Sequence, residues 1–274
     1  MNKTLLPTLV ILGAGPGDPE LITYKGHKIL QEAPVILYDN LANTALLDLA
    51  PPHCEKIYVG KKPYGTYTPQ EEIHRLIREK AFARGLVVRL KGGDPFIFGR
   101  GFEEVLFARS EGIRTEYIPG ITSMQAAGLE DIPLTHRELC ESIWVVTGTK
   151  KDGTLSEDLR LAIRSKATVV IYMGMKKLAE IAAVYHAEGC PGMPAAIIQH
   201  ASLPGQKQVR GQAGSLVELA REAGLSHPSI IVIGAVAGIS TRGHTWQKNG
   251  QLTHGSGSSH SGPVSPERPC QHAS

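Results

Sequence analysis

The densest group of chemically special residues lies between Arg89 and Gly101, in the run RLKGGDPFIFGRG. Gly92 and Gly93 lack a Cβ, so a ligand can lie directly against the backbone there. Asp94 adds a carboxylate at that contact. Positive charge around it comes from three residues: Arg89, Lys91 and Arg100. A structural turn needs one glycine rather than thirteen positions of this kind, so the run predicts one wall of a small-molecule site.

A second glycine-rich loop, Gly13-Ala14-Gly15-Pro16-Gly17-Asp18, follows a β-rich segment and precedes a helical one. It looks like a dinucleotide fingerprint, but Asp18 stands where a small residue is needed, and its charge would repel a pyrophosphate. Pro16 also removes one backbone N–H from such a loop. The loop is either a plain turn or a site for a ligand without phosphate, and the second interpretation is favoured.

Single polar residues follow two other predicted strands. Asp39 comes after Val35-Ile36-Leu37-Tyr38. It either caps the next segment or faces a cleft, where a carboxylate can take a proton or orient a substrate N–H. Lys61, after Gly60, is either a surface lysine or an equivalent functional group. Thr122 and Ser123 follow a strand and a tight turn, so they cap a helix or contact a ligand.

Further candidates lie in the second half of the chain. Arg137, in the segment Leu134-Thr135-His136-Arg137, lies at a predicted junction of two halves, where clefts form. A guanidinium there suits a carboxylate, whereas His136 is interpreted as making an ordinary hydrogen bond. Met173 ends a later strand and either fills the core or packs on a ligand ring. Backbone groups after Gln199 could reach the edge of a base.

Strand and helix patterns alternate on both sides of a break at residues 132–137, which predicts the α/β class. We expect two α/β lobes with mostly parallel sheets and an inter-lobe cleft. The predicted domains are residues 1–134, residues 135–240 and a disordered tail, 241–274, whose Gly, Ser, His and Pro content cannot offset the entropy of ordering. Ligands of such folds bind beyond the carboxyl ends of strands. The glycine-rich loops should therefore converge.

Composition excludes several classes of function. The 274 residues carry a formal net charge of +3, too little to indicate nucleic-acid or membrane binding. We see neither a signal peptide nor an apolar run long enough to span a bilayer. The four cysteines form no C-x-x-C pair, so no zinc or redox motif is indicated, and we expect no metal. Scattered cysteines suit a reducing, cytoplasmic location.

These motifs together resemble the tetrapyrrole methyltransferase family over roughly residues 8–240. Within the family, they are most similar to the branch that methylates uroporphyrinogen III. Looser relatives, such as diphthine synthase and ribosomal-RNA ribose methylases, share the first loop but would not carry the whole Arg89–Gly101 run. The resemblance depends on the following motifs: Gly13–Pro19, Tyr38-Asp39, Val59–Lys61, Pro69–Ile73, Arg89–Gly101, Pro119–Ser123, Ile132–Arg137, Val146–Gly148 and Tyr172–Gly174.

The resemblance implies an enzyme that binds S-adenosylmethionine in a folded conformation between two lobes and releases S-adenosylhomocysteine. It implies methylation of C2 and then C7 of uroporphyrinogen III to give precorrin-2, for siroheme or cobalamin biosynthesis, by a homodimer. Implied cofactor contacts are Pro16, Gly92, Gly93, Asp94, Ile97, Thr122, Ser123, Met173 and Ala201. Implied substrate contacts are Arg100, Glu103, Arg137 and Met173. Implied catalytic residues are Asp39 as proton acceptor, Lys61 as proton donor and Arg100.

The sequence departs from the family pattern at few positions. Ala201 stands where relatives usually have glycine, after Gln199-His200 in place of Glu-Asn, and Phe102 stands where glycine is common. Since no dehydrogenase or ferrochelatase module precedes the first lobe, we expect the stand-alone form. Three alternatives stay open: a methylase of a later corrin intermediate, a nucleotide-binding oxidoreductase built on the Gly13–Asp18 loop, and a non-catalytic binding protein.

Overall fold

A computed structural model of the chain describes residues 6–60 and 68–239, together with the backbone of 244–246 and 252–254. The chain forms two compact units. The first contains residues 1–126 and 200–205, and the second contains residues 127–199 and 206–274. The predicted boundary at residue 134 lies eight residues after the division that the structure shows at residue 126. The short segment around Ala201, which the sequence assigned to the second lobe, clusters with the first unit.

The first unit is built on a five-stranded sheet in the order β3-β2-β4-β1-β5, and every strand pair in it is parallel. This confirms the predicted α/β lobe. Its strands are β1 Thr8–Gly13, β2 Val35–Tyr38, β3 Glu55–Tyr58, β4 Leu86–Lys91 and β5 Arg114–Ile118. Its α-helices are α1 Tyr24–Glu32, α2 Gln70–Arg84 and α3 Gly101–Ser110.

Alternation along β1, an interior strand, shows that this sheet has a hydrophobic core on each face. Leu9 and Ile11 of β1 belong to one cluster of buried side chains, whereas Val10 and Leu12 belong to the other. Successive side chains of a strand point to opposite faces, so a strand covered on both sides must be apolar throughout. The apolar run 35–38 accordingly predicts β2 with its observed ends.

Two helix starts differ from the predictions. Apolar residues at helical spacing predict one helix over 20–31. The segment instead begins as a 3₁₀ helix, Pro19–Leu21, and continues as α1 only after Thr23, whose hydroxyl accepts a hydrogen bond from the Gly26 N–H. Thr68 does not cap α2. Pro69 holds the capping position without a side-chain bond, and the Thr68 hydroxyl donates to the Gly60 carbonyl.

The second unit contains a five-stranded sheet in the order β6-β7-β10-β8-β9. Its strands are β6 Ile143–Thr147, β7 Thr168–Tyr172, β8 Pro194–Gln199, β9 Lys207–Gln212 and β10 Ser229–Ile233. Its α-helices are α4 Asp158–Ile163, α5 Leu178–Ala187 and α6 Leu216–Glu222.

The predicted α/β class is confirmed for this unit as well, but its sheet is mixed and mainly antiparallel. Only β6 and β7 pair in parallel, while β10 runs antiparallel to both its neighbours and β9 runs antiparallel to β8. β8 ends at Gln199 and β9 begins at Lys207. A link this short cannot make a parallel crossover, which needs a dozen or more residues.

Two strands lie in the stretch that the sequence predicts to be disordered. The backbones of β11, His244–Trp246, and β12, Leu252–His254, pair antiparallel. The remainder of that stretch lies outside the described residues. No helix in the described part of the chain is both long and apolar enough to cross a membrane.

Candidate functional site

Three glycine-rich loops of the first unit converge beyond the carboxyl ends of their strands, as the sequence predicts. Gly15 and Gly93 form an isolated bridge, with Gly15 N donating to Gly93 O at 3.2 Å and Gly93 N donating to Gly15 O at 2.7 Å. Gly13 faces the backbone of Gly120. A Cβ on Gly13 would overlap that backbone and lie 2.8 Å from Gly93 O. Only glycine allows the backbones of these three loops to approach so closely.

Three N–H groups of the first loop, those of Ala14, Gly15 and Asp18, are already engaged. Ala14 N donates to Lys91 O at 2.7 Å, and Gly15 N donates to Gly93 O. Asp18 N donates to Ser202 Oγ at 2.9 Å, and the Asp18 carboxylate accepts from Glu20 N at 2.8 Å. A dinucleotide pyrophosphate needs free N–H groups at this turn. The geometry therefore opposes the oxidoreductase alternative.

The segment 200–205 packs against this loop within the first unit. A Cβ on Gly17 would lie 3.0 Å from Ala201 O, and Asn43 Nδ2 donates to Gly17 O at 2.8 Å. His200 and Ser202 adopt positive φ values of 51° and 66°, which turn the chain sharply. The predicted cofactor contacts Pro16 and Ala201 are thereby carried on neighbouring loops.

Asp94 has a different role from the free carboxylate that the sequence suggested. Its Oδ1 accepts from Phe96 N at 2.8 Å, while its Oδ2 accepts from Tyr117 Oη at 2.5 Å and from Gly120 N at 3.2 Å. The carboxylate therefore ties its own loop to the Gly120 turn. Burial, followed by the hydrogen bond to Asp94, raises the pKa of Tyr117 well above its ordinary value.

The other cofactor contacts implied for this unit lie on the joined loops. A Cβ on Gly93 would stand 3.4 Å from Ser123 Oγ, so these two residues are neighbours. Thr122 is buried directly before Ser123, where the 3₁₀ helix Ser123–Glu130 begins. Gly92 packs against Leu41 O in the loop after β2, and Ile97 is 38% exposed.

Arg89 and Lys91 do not surround a ligand as the sequence suggested. They are 3% and 6% exposed, and both pair with Glu104, which is fully buried on α3. The period of two in β4 places the two cations on one face, toward α3. Burial, and then the charge of Arg89, lower the pKa of Lys91. The negative charge of Glu104 acts in the opposite direction and offsets part of this shift.

Asp39 lies beside this buried group. Its Oδ2 accepts from Arg89 Nη2 at 3.2 Å, and its Oδ1 accepts from Leu41 N at 3.1 Å. Asn43, rather than Asp39, caps the following 3₁₀ helix. The capping interpretation of Asp39 is therefore wrong. Lys61, the other predicted proton-transfer residue, lies outside the described residues.

Arg100 and Glu103 form an exposed ion pair at the start of α3. Arg100 Nη2 lies 2.6 Å from Glu103 Oε2, with side chains 58% and 53% exposed. Arg100 has a φ of 59°, and strained backbone of this kind concentrates at functional sites. Phe102 is half exposed and meets the ring of Phe96 edge-on at 5.7 Å.

The remaining predicted residues belong to the second unit. Met173 is 51% exposed with a φ of 55°, which excludes the core interpretation. Its carbonyl accepts from Thr149 Oγ1 at 3.0 Å. Arg137 is exposed, and His136 Nδ1 accepts from Glu138 N at 3.3 Å. Among residues 6–60 and 68–239, no group of three or more His, Cys, Asp or Glu side chains could hold a metal.

Sequence reasoning missed three participants: Glu104, Tyr117 and Ser202. Glu104 had a usable signal. Gly101, Glu104, Val105 and Ala108 are the buried positions of α3, so a carboxylate stands within the apolar stripe of a helix. A carboxylate there needs a buried cation. Tyr117 and Ser202 had no comparable signal, because their partners are distant in sequence.

The first unit is thus a parallel α/β sheet whose glycine-rich loops meet beyond its strand ends, where proteins of this class bind small ligands. Comparison with known families identifies the member. Residues 8–217 match the Tetrapyrrole (Corrin/Porphyrin) Methylases, and the chain belongs to this family.

Individual relatives agree with this assignment. The chain is 41% identical over 234 residues to Uroporphyrinogen-III C-methyltransferase of Methanocaldococcus jannaschii, covering 84% of this chain and 97% of that protein. It is 44% identical over 239 residues to the protein of that name from Bacillus subtilis (strain 168), covering 86% of this chain and 49% of that one. The crystal structure of Uroporphyrin-III C-methyl transferase from Thermus thermophilus, complexed with S-adenyl homocysteine, superposes with a TM-score of 0.74 at 40% identity, covering 85% of this chain and all of that one.

The relatives differ in length. The chain spans about half the length of several curated relatives, including proteins named Siroheme synthase.

Proposed function

We propose that this protein transfers methyl groups from S-adenosylmethionine to C2 and then C7 of uroporphyrinogen III and so produces precorrin-2. Family membership and the names of the relatives support the activity. The observation that carries the proposal is the junction of the Gly13, Gly93 and Gly120 loops, whose engaged N–H groups leave a backbone surface suited to a cofactor without phosphate.

The residues present fit this cofactor. A positive φ of 64° at Gly93 presents bare backbone beside the Ser123 hydroxyl, and Pro16 and Ile97 add partly exposed apolar surface. We assign contacts with the cofactor to Pro16, Gly92, Gly93, Ile97, Thr122, Ser123, Met173 and Ala201, and assign Asp94 the task of holding the loops together. The bound cofactor supplies a methyl group activated by its sulfonium charge.

The chain's own basic residues bind the acidic macrocycle. Uroporphyrinogen III carries carboxylates around its rim, and a guanidinium binds a carboxylate through two parallel hydrogen bonds. Arg100 is exposed and is oriented by Glu103, so its remaining N–H groups can point to a substrate. We assign Arg137 and Met173 to the substrate as well, since both are exposed. Their task is to align the reacting carbon with the methyl group, where geometry dominates the rate.

Attack by a pyrrole carbon requires the loss of a proton from the macrocycle. We assign Asp39 as the proton acceptor, because its carboxylate follows β2 and is oriented by both Arg89 and the Leu41 N–H. Lys61 is proposed as the proton donor, as the family resemblance implies. Arg100 is proposed to assist at a pyrrole N–H.

We further propose that the protein acts as a cytoplasmic homodimer in siroheme or cobalamin biosynthesis. The family resemblance supports this proposal. Light scattering coupled to gel filtration measures the assembly directly. A mass of two chains is expected, and a monomer at working concentration would contradict the dimer without affecting the proposed reaction.

The test of function is turnover by the full chain under anaerobic, reducing conditions with S-adenosylmethionine and uroporphyrinogen III. We expect a product heavier by two methyl groups, with methyls at C2 and C7 by NMR. Transfer only to a more highly methylated precursor would assign a later corrin acceptor instead. Absence of any transfer by folded protein would refute the proposal.

A further inference from the structure

A cluster of four charged side chains connects the interior of the first unit to Asp39. The two cations, Arg89 and Lys91, balance the two carboxylates, Glu104 and Asp39. The side chains of Arg89, Lys91 and Glu104 are 3%, 8% and 1% exposed, whereas that of Asp39 is 19% exposed. Asp39 is thus the member of this cluster that reaches solvent.

The backbone sets this arrangement. β2 and β4 pair in parallel, with Leu37 opposite Arg89. Asp39 lies two residues beyond Leu37, and side chains two apart lie on the same face while a strand continues. α3 covers this face, since its buried Val105 and Ala108 join the same hydrophobic cluster as Leu37. The position of Arg89 between Asp39 and α3 therefore follows from register rather than from a mobile side chain.

Arg89 uses each of its nitrogen positions on a different acceptor. Nε faces both oxygens of Glu104, at 3.3 Å and 3.2 Å, Nη1 donates to Leu90 O at 3.0 Å, and Nη2 donates to Asp39 Oδ2 at 3.2 Å. A planar guanidinium fixed at three sites cannot rotate without breaking a bond. A lysine has three N–H donors, but all are on one nitrogen and cannot reach acceptors that are spaced around a planar guanidinium.

The geometry points to Arg89, held in place by Glu104, as the positioning residue that fixes the orientation of the Asp39 carboxylate for proton transfer. This inference rests on the proposed function, because that function assigns the proton to Asp39. The second bond to Asp39, from the Leu41 N–H, fixes its other oxygen. Since Leu41 also packs on Gly92, the carboxylate is held beside the loop proposed to bind the cofactor.

A purely structural ion cluster is the alternative. Lys91 separates the two interpretations, because it is as buried as Arg89 and contacts Glu104 at 3.1 Å, whereas Arg89 alone of the two cations bonds to Asp39. Arg89→Met and Lys91→Met each remove one buried cation from the same carboxylate. If the cluster only stabilises the fold, the two variants behave alike in every assay.

The experiment compares wild type, Arg89→Met, Arg89→Lys and Lys91→Met in the full chain. The first readout is the crystal structure of each, which shows whether the Asp39 carboxylate keeps its single orientation. The second is kcat with uroporphyrinogen III, measured beside the affinity for S-adenosylhomocysteine. Glu104→Gln, which keeps the shape of the side chain and removes its charge, replaces Arg89→Met if the latter does not fold.

We expect Asp39 to lose its fixed orientation in Arg89→Met and to keep it in Lys91→Met. Misplacing a catalytic group can cost about 100-fold in rate, so kcat should fall by about that factor in Arg89→Met and by a smaller factor in Arg89→Lys. In Lys91→Met, kcat should stay within about twofold of the wild-type value, even where the melting temperature falls as much as in Arg89→Met. Affinity for S-adenosylhomocysteine should be unchanged.

Equal loss of kcat in Arg89→Met and Lys91→Met, or an unmoved Asp39 in Arg89→Met, would overturn the inference. So would full activity in Arg89→Lys. If wild type transfers no methyl group, the proposed function fails by itself. The orientation of Asp39 in the crystals then still decides whether Arg89 positions it.

Discussion

The two units differ in the use that each makes of its buried polar groups. In the first unit, Asp94 joins two loops through three accepted hydrogen bonds, and Arg89 joins β4 to α3 and to Asp39. The core of the second unit is aliphatic apart from a few residues, and the buried hydroxyls of Thr168 and Tyr185 have no hydrogen-bond partner among the described residues.

This contrast shows which unit is built around a site. Buried polar groups cost free energy unless they are paired. The first unit pairs most of them where they hold loops in place, although Glu104 Oε2 has only its ion pair with Arg89. The second unit pairs Gln199 with Ser226 but leaves the hydroxyls of Thr168 and Tyr185 unpaired among the described residues. Substitution of the paired polar groups and of the glycines at the loop junction of the first unit should therefore do more damage than substitution of the unpaired hydroxyls or of an open glycine in the second.

The largest difference is expected for glycine substitutions. Gly13→Ala drives a Cβ into the backbone of Gly120, which cannot move aside as a flexible side chain could. We expect a loss of about 3 kcal/mol in the free energy of unfolding, the upper part of the range for overpacking, together with loss of cofactor binding. Urea unfolding and calorimetry measure the two effects. Gly128→Ala in the second unit, where a Cβ would meet no atom within 4 Å, is the control and should unfold like wild type.

The next largest effect concerns exposed arginines. Arg100→Ala should lower kcat/KM by at least ~100-fold, about 2.7 kcal/mol of transition-state stabilisation, while leaving affinity for S-adenosylhomocysteine intact. Arg164→Ala in the second unit removes a similarly exposed arginine that also binds one carboxylate twice, that of Glu188. It should keep wild-type activity. Equal activities of the two variants in steady-state assays would refute the role given to Arg100.

A tyrosine in each unit tests the comparison through stability. Tyr117→Phe removes the hydrogen bond to Asp94 and should cost about 1.5–3 kcal/mol, the range for a bond to a charged group. Tyr185→Phe removes a buried hydroxyl without a partner in the described chain, so it should be neutral or stabilising. Denaturant midpoints at equal slope give both values. A larger loss in Tyr185→Phe would reverse the contrast between the units.

The smallest expected effect is a dependence of stability on pH. The pKa of Lys91 is lowered in the folded protein, first by burial and then by Arg89. The unfolded chain therefore binds more protons between that lowered pKa and the ordinary value of 10.5, and stability rises with pH across this window. The unfolding free energy of wild type relative to Lys91→Met should increase as pH rises toward 10.5. A flat difference would place Lys91 in a solvated environment, and a falling one would mean that its carboxylate neighbours outweigh burial and raise its pKa.

The sequence predicted the strands of both units because their residues carry a strong local signal. Buried strands such as β2 and β7 are continuous apolar runs ended by polar or glycine residues. It also predicted that the glycine loops of the first unit converge, since loops that follow parallel strands share one edge of the sheet.

Strand direction in the second unit depends on non-local pairing, and the sequence did not reveal it. β10 pairs with two strands that precede it by many residues, and apolar periodicity is the same for parallel and antiparallel neighbours. The protein partners of Asp94 and Arg89 were not predicted for a similar reason. Residue type shows that a charge is present. Only the fold shows that Tyr117 and Gly120 donate hydrogen bonds to Asp94 and that Glu104 pairs with Arg89.

The central claim is that the loops of the first unit hold a cationic cofactor without phosphate, and calorimetric titration tests it most directly. The full chain should bind S-adenosylhomocysteine saturably, at one molecule per chain, and should show no heat of binding with NAD. Saturable binding of NAD, or a folded protein that binds no S-adenosylhomocysteine, would contradict the account.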